Sequence, residues 1–126
     1  MGDGRLDGRV LSAEKEFAEL KARAEAGDAS AMHKLYLAYL DGFGTEKDED
    51  AAFRWLSRFC SHGGEETVRR LHGMRDLGIA CMRGIGTDKN PGLALECFGK
   101  VLGQGDKEAA DWIYALYAEG MLPARG

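Results

Sequence analysis

The sequence predicts an all-α fold, an α-α superhelix of about six antiparallel helices forming roughly two and a half repeats. Three observations predict it. Gly42-Phe43-Gly44-Thr45 returns 42 positions later as Gly84-Ile85-Gly86-Thr87. Gly27-Asp28-Ala29-Ser30-Ala31, followed by Leu35-Tyr36 and Tyr39, returns 78 positions later as Gly105-Asp106-Lys107-Glu108-Ala109, then Ile113-Tyr114 and Tyr117. No segment alternates apolar and polar residues as a half-buried strand would. Periods of this size mark a stack of short supersecondary units, each covering the apolar flank of the next, in place of a fold organised around one catalytic cleft.

The elements follow in order. Residues 1–10 carry three glycines, alternating charges and no apolar face, so they read as a flexible lead-in. From Ser12 to Ala26, Ala13, Phe17, Leu20 and Ala24 recur at helical spacing on one stripe. Gly27 ends that helix and Asp28 caps the next. The second helix spans about Asp28 to Leu40, buries Ala31, Leu35, Ala38 and Tyr39, and stops at Gly42. A loop to Lys47 leads into a third helix, where Asp48, Glu49 and Asp50 favour the positive end of the helix dipole and Ala52, Trp55, Leu56 and Phe59 form the apolar face. His62-Gly63-Gly64 breaks the chain. A fourth helix runs from Glu65 to about Arg83 and is longer at its start than the second. Asn90-Pro91 is a strong start signal for the fifth, Pro91 to about Leu102, with Leu93, Ala94, Cys97, Phe98 and Val101 inward. A sixth runs from Asp106 to Glu119, ended by Gly120 and Pro123. The helical domain thus covers residues 11–120, and residues 121–126 form a C-terminal tail.

Composition narrows the function. The chain has 126 residues, enough for one domain, with 44% apolar and 30% charged residues. Seventeen basic against 21 acidic side chains give a net charge of −4, which provides no field for a phosphate backbone. Nucleic acid is therefore not an expected partner. No apolar run approaches the roughly 20 residues of a membrane span, and the charged N-terminal stretch lacks a secretory core, so the expected location is cytoplasmic and no membrane is expected as a partner. The three cysteines, Cys60, Cys81 and Cys97, read as free thiols of a reducing compartment. Cys81 and Cys97 occupy the repeat positions of Tyr39 and Trp55, which makes them core positions.

The pattern Glu25-Ala26-Gly27-Asp28, Ala31, Leu35, Tyr39, Gly42, Gly44, Asp48, Ala52 and Trp55 resembles the Sel-one-like repeat (SLR), a relative of the tetratricopeptide repeat. A second copy keeps Gly73, Leu77-Gly78, Ala80, Gly84, Gly86, Asp88, Ala94 and Phe98. The middle repeat departs from the pattern by six extra residues and by cysteine at the Tyr and Trp positions. The resemblance implies a protein-protein interaction adaptor or scaffold, often bacterial, that takes a peptide or helix of a partner protein on its concave face.

In stacks of this type the first helix of each hairpin lines the concave face. On the second helix the positions not claimed by the core are His33, Lys34, Leu37 and Asp41. The repeat offsets give Arg75, Asp76, Ile79 and Arg83 on the fourth helix, and Asp111, Trp112, Ala115 and Glu119 on the sixth. Apolar anchors among charges suit a binding surface. The first and last helices each lack a hairpin mate, so Phe17, Leu20, Trp112 and Leu116 are also candidates for a homodimer through an uncapped end. Two other readings stand beside the adaptor: a structural homo-oligomerising module, and a hydrolase-type enzyme of the kind linked to cysteine-rich relatives.

Catalytic chemistry is not expected. His33, His62 and His72 lie on different elements, and no Cys-x-x-Cys or His-x-x-x-His spacing offers a metal site. The Gly-x-Gly loops lack a preceding strand and a third glycine, so they read as hairpin turns. The acidic stretch Glu46 to Asp50 lacks the calcium-ligand ladder and reads as a charged helix start. No cofactor is expected.

Overall fold

The computed structural model describes residues 4–62 and 68–123, and among them all regular structure is helical. The helices are α1 (Gly4–Glu25), α2 (Ala29–Asp41), α3 (Glu49–Ser61), α4 (Val68–Arg83), α5 (Pro91–Gly103) and α6 (Glu108–Ala118). The chain divides into two compact units, Met1–His62 and Gly63–Gly126. In the first, α1 packs on α2 and α2 on α3; in the second, α4 packs on α5, α5 on α6, and α4 also touches α6.

The loop that closes each hairpin is built twice. Gly42 ends α2 at φ 75°, and its N–H donates to the Ala38 carbonyl at 2.8 Å. The Phe43 N–H shares that carbonyl at 2.9 Å, the Asp48 N–H reaches Tyr39 O at 2.9 Å, and the Asp48 carboxylate caps α3 by accepting from the Ala51 N–H at 3.0 Å. In the second unit Gly84, also at φ 75°, donates to Ala80 O at 2.8 Å, Ile85 to the same oxygen at 3.0 Å, and Asn90 to Cys81 O at 2.8 Å. Asn90 caps α5 through the Leu93 N–H at 3.1 Å. Asp28 begins α2 in the same manner, accepting from the Ala31 N–H at 3.2 Å and from Arg23 at 2.8 Å. The Arg23 and backbone hydrogen bonds hold its carboxyl below the ordinary value.

Some boundaries depart from the sequence reading. α1 begins at Gly4, whereas spacing placed the helix start near Ser12. Once a helix is nucleated, each added residue gains a backbone hydrogen bond, and neither a proline nor a cap stops α1 upstream of Ser12. The start expected for α4 at Glu65, the first three residues of the lead-in and residues 124–126 of the tail lie outside the described residues. α6 begins at Glu108, two residues after the expected Asp106, because the Asp106 carboxylate turns back to accept from the Glu108 N–H at 3.0 Å.

The cores hold most of the expected inward residues, while Leu93 is only half-buried. Ala31, Leu35, Ala38, Ala52, Trp55, Leu56 and Phe59 are buried in the first unit, and Ala94, Cys97, Phe98 and Val101 in the second. Tyr39 is half-buried, its ring meeting Phe17 edge-on at 5.2 Å. The two hairpins divide bulk differently between their own paired helices. Gly78 on α4 stands at the repeat position of Tyr36, and a Cβ placed there would come within 2.6–3.0 Å of the Phe98 ring, which itself replaces Leu56. A second close approach joins the loop to α1: a Cβ on Gly44 would fall onto the Ala13 carbonyl and lie 2.8 Å from Phe17 Cβ.

Gly44→Ala should therefore lower stability by about 2–4 kcal/mol, because it combines a clash with backbone against the strain of φ 71°. Gly105→Ala, at φ 99° with nothing within 4 Å, should lose only about 1 kcal/mol; urea melts of the two variants check the difference. Gly78→Ala should cost about 1–3 kcal/mol by overpacking, and Phe98→Leu in the same chain should recover part of that loss in a double-mutant cycle.

Candidate protein-binding surface

The residues expected on the binding face fall in both units. In the first, Lys34, Leu37 and Asp41 are exposed on α2, Leu37 at 39%. His33 is half-buried and turned toward α3, with its ring 5.0 Å from Phe59 and 5.9 Å from Tyr36. At 100° per residue His33 lies on the side of α2 that carries Tyr36, so it helps to close the hairpin. Counting offsets from the core pattern does not reveal this, because histidine fits either face.

In the second unit, α4 and α6 bring several expected residues together. Trp112 is half-buried and stacks on Phe98 of α5, ring centroids 6.0 Å apart and planes 14° from parallel. The Arg83 guanidinium stands 5.6 Å from the Trp112 ring centre. Arg75 bonds Asp106 at 3.1 Å and Glu108 at 3.0 Å, which ties α4 to the start of α6. Asp76, Ile79 and Ala115 are half-buried, while Arg83, Asp111 and Glu119 are exposed. Of these residues, Arg83 and Phe98 are the ones that meet the Trp112 ring. Arg75 and Trp112 also hold the unit itself together, so substitutions there disturb packing as well as any surface.

The end residues sort differently from the uncapped-end expectation. Leu116 is fully buried, and Phe17 is half-buried with its ring against Tyr39 of α2. The large exposed apolar side chain on α6 is Tyr114, 74% exposed. Phe43, 47% exposed between the two loop glycines, is a surface residue that sequence reasoning missed; a phenyl inside a glycine turn with no apolar neighbour in register was the available signal.

Among the described residues no three His, Cys, Asp or Glu side chains are grouped to hold a metal ion. None of the three cysteines is joined in a disulfide. Burial raises the Cys81 pKa, and burial together with the neighbouring Cys81 pushes Cys97 up to about 11. Both thiols are therefore protonated and poorly nucleophilic near neutral pH. No helix among the described residues is long and apolar enough to cross a membrane.

Comparison with protein-family models matches the Sel1 repeat at residues 29–64 and 71–106. Among solved structures, a Sel1 repeat protein from Oxalobacter formigenes is 28% identical, with a TM-score of 0.72 over 86% of this chain and 42% of its own. A protective antigen of uropathogenic Escherichia coli that displays an SLR fold is 22% identical, with a TM-score of 0.72 over 85% of this chain and 22% of its own. Helicobacter pylori cysteine rich protein B is 20% identical, with a TM-score of 0.64 over 86% of this chain and 91% of its own. This chain therefore spans less than half the length of the first two. Comparison with curated protein sequences gives no match.

The thiols set a pH dependence. The folded state keeps the Cys97 proton where the unfolded thiol, near 9.0, loses it, so that contribution to stability is complete below about pH 9 and is lost as pH rises toward 11. Urea melts across this window should show the parent chain losing about 2 kcal/mol more than Cys97→Ala.

Proposed function

This chain belongs to the Sel1 repeat family, and from that membership we propose that it is a protein-interaction adaptor whose second unit binds a peptide or helix of a partner protein on the face shared by α4 and α6. The observation that carries the reading is the grouping of Arg83 and Trp112 over Phe98, with Asp111 exposed on the indole's helix and Glu119 exposed at its C-terminal cap. Arginine and tryptophan supply most of the energy in protein interfaces, since each offers a wide apolar surface together with directed hydrogen bonds. The surrounding carboxylates favour a partner segment that brings basic groups to the rim. On α2 of the first unit, Lys34, Leu37 and Asp41 form a smaller mixed patch of the same kind. In solenoids of this class such faces are the concave ones, and the bacterial sources of the similar structures favour a bacterial adaptor.

The hydrolase reading draws no support from the side chains. A thiol nucleophile needs a lowered pKa, and burial moves Cys81 and Cys97 in the opposite direction.

Affinity capture from native lysate, with bound proteins identified by mass spectrometry, tests the adaptor reading. Arg83→Glu and Glu119→Lys, both at exposed positions, should leave helix content unchanged and lower recovery of a genuine partner by about tenfold or more, equivalent to about 1.4 kcal/mol. Recovery unaltered by both variants would remove the α4–α6 face as the site.

A further inference from the structure

We propose that the cleft where the Gly42–Glu46 loop meets α1 is a second docking site, and that it takes an arginine-bearing segment of a partner protein. This site lies on the first unit and does not rest on the α4–α6 reading. The cleft measures about 600 Å³ and is lined by Ala13, Glu14, Phe43, Thr45 and Glu46 together with the loop glycines. That volume falls within the roughly 300–1,000 Å³ of sites that hold small ligands or a few side chains.

Its wall is fixed by the fold. Gly44 lies so close to Ala13 and Phe17 that no side chain fits between loop and helix, and the Phe43 N–H is bonded to the Ala38 carbonyl at 2.9 Å. Phe43 is held in this turn with 47% of its surface exposed. The repeat does not require that exposure, because Ile85 occupies the same place in the second loop and is half-buried. In the cleft this leaves an aromatic face open to a partner side chain.

Charge selects the occupant. Glu14 and Glu46 line the same cleft and are exposed, and among the described residues neither carboxylate is paired with a cation. A guanidinium meets both demands: its weakly hydrated plane stacks on an aromatic ring, and its fork bonds carboxylates in bidentate fashion. A lysine ammonium, compact and strongly hydrated, uses the ring less well. An acidic segment is repelled.

Titration of ¹⁵N-labelled protein with the peptide Ac-Gly-Leu-Arg-Leu-Gly-NH2 tests the site, with Ac-Gly-Leu-Glu-Leu-Gly-NH2 as control. The arginine peptide should shift the amides of Ala13, Glu14 and Phe43 to Glu46, with a Kd on the order of 1 mM that weakens as salt is raised. Phe43→Ala, and separately the pair Glu14→Lys with Glu46→Lys, should weaken binding about tenfold, whereas Arg83→Glu should leave it unchanged. No shifts at these amides, equal response to the glutamate peptide, or undiminished binding by the Glu14→Lys, Glu46→Lys chain would each overturn the proposal. So would a dimer dissociated by Phe43→Ala in sedimentation, since a second copy would then be the occupant.

Discussion

The left-handed glycine at the end of the first helix of each hairpin is the constraint on which the rest depends. Gly42 and Gly84 share φ 75°, and each places two successive N–H groups on a single carbonyl of the last helical turn, Ala38 or Ala80. This satisfies carbonyls that a helix end otherwise leaves bare, and it reverses the chain within a few residues. The reversal sets the following cap, Asp48 or Asn90, beside the helix just ended, so the turn and the next helix start form one hydrogen-bonded unit. A side chain at either glycine would strain the backbone, and one at Gly44 would push the loop off α1 as well.

Given that frame, the interior tolerates exchange of volume between facing positions. Where the first hairpin sets Tyr36 on α2 and Leu56 on α3, the second sets Gly78 and Phe98, and the phenyl fills the space the glycine leaves. Tyr39 and Trp55 likewise give way to Cys81 and Cys97, both buried and both held protonated by their surroundings. The exchange has a consequence at the surface, since Phe98 is the ring on which Trp112 stacks.

Function resides in what the frame leaves uncommitted. The second unit shows the Trp112 ring stacked on Phe98 with Arg83 near it, and the first shows Phe43 in one cleft with Glu14 and Glu46, which have no cation partner among the described residues. Among the described residues neither surface holds a grouped set of metal ligands. Arg75 illustrates how narrow the distinction is. Its guanidinium is spent on Asp106 and Glu108 and thereby fixes α6, although its spacing matches the exposed positions.

The sequence by itself determined the six helices, their glycine stops, their Asp and Asn caps and the inward faces, because these follow from local backbone chemistry and from a period of 3.6 residues repeated in register. It also placed Cys81 and Cys97 in the core, since they stand at the repeat positions of Tyr39 and Trp55. The start of α1 at Gly4 was not legible, because helix propagation needs no signal of its own. Nor were the roles of His33, Arg75, Leu116 and Phe43. A polar or aromatic residue at a helix edge or in a turn fits a neighbour or the solvent equally well on pattern alone. Only tertiary packing, by placing Phe59 beside His33, Asp106 beside Arg75 and α1 behind Gly44, decided which side chains were consumed and which remained free to bind.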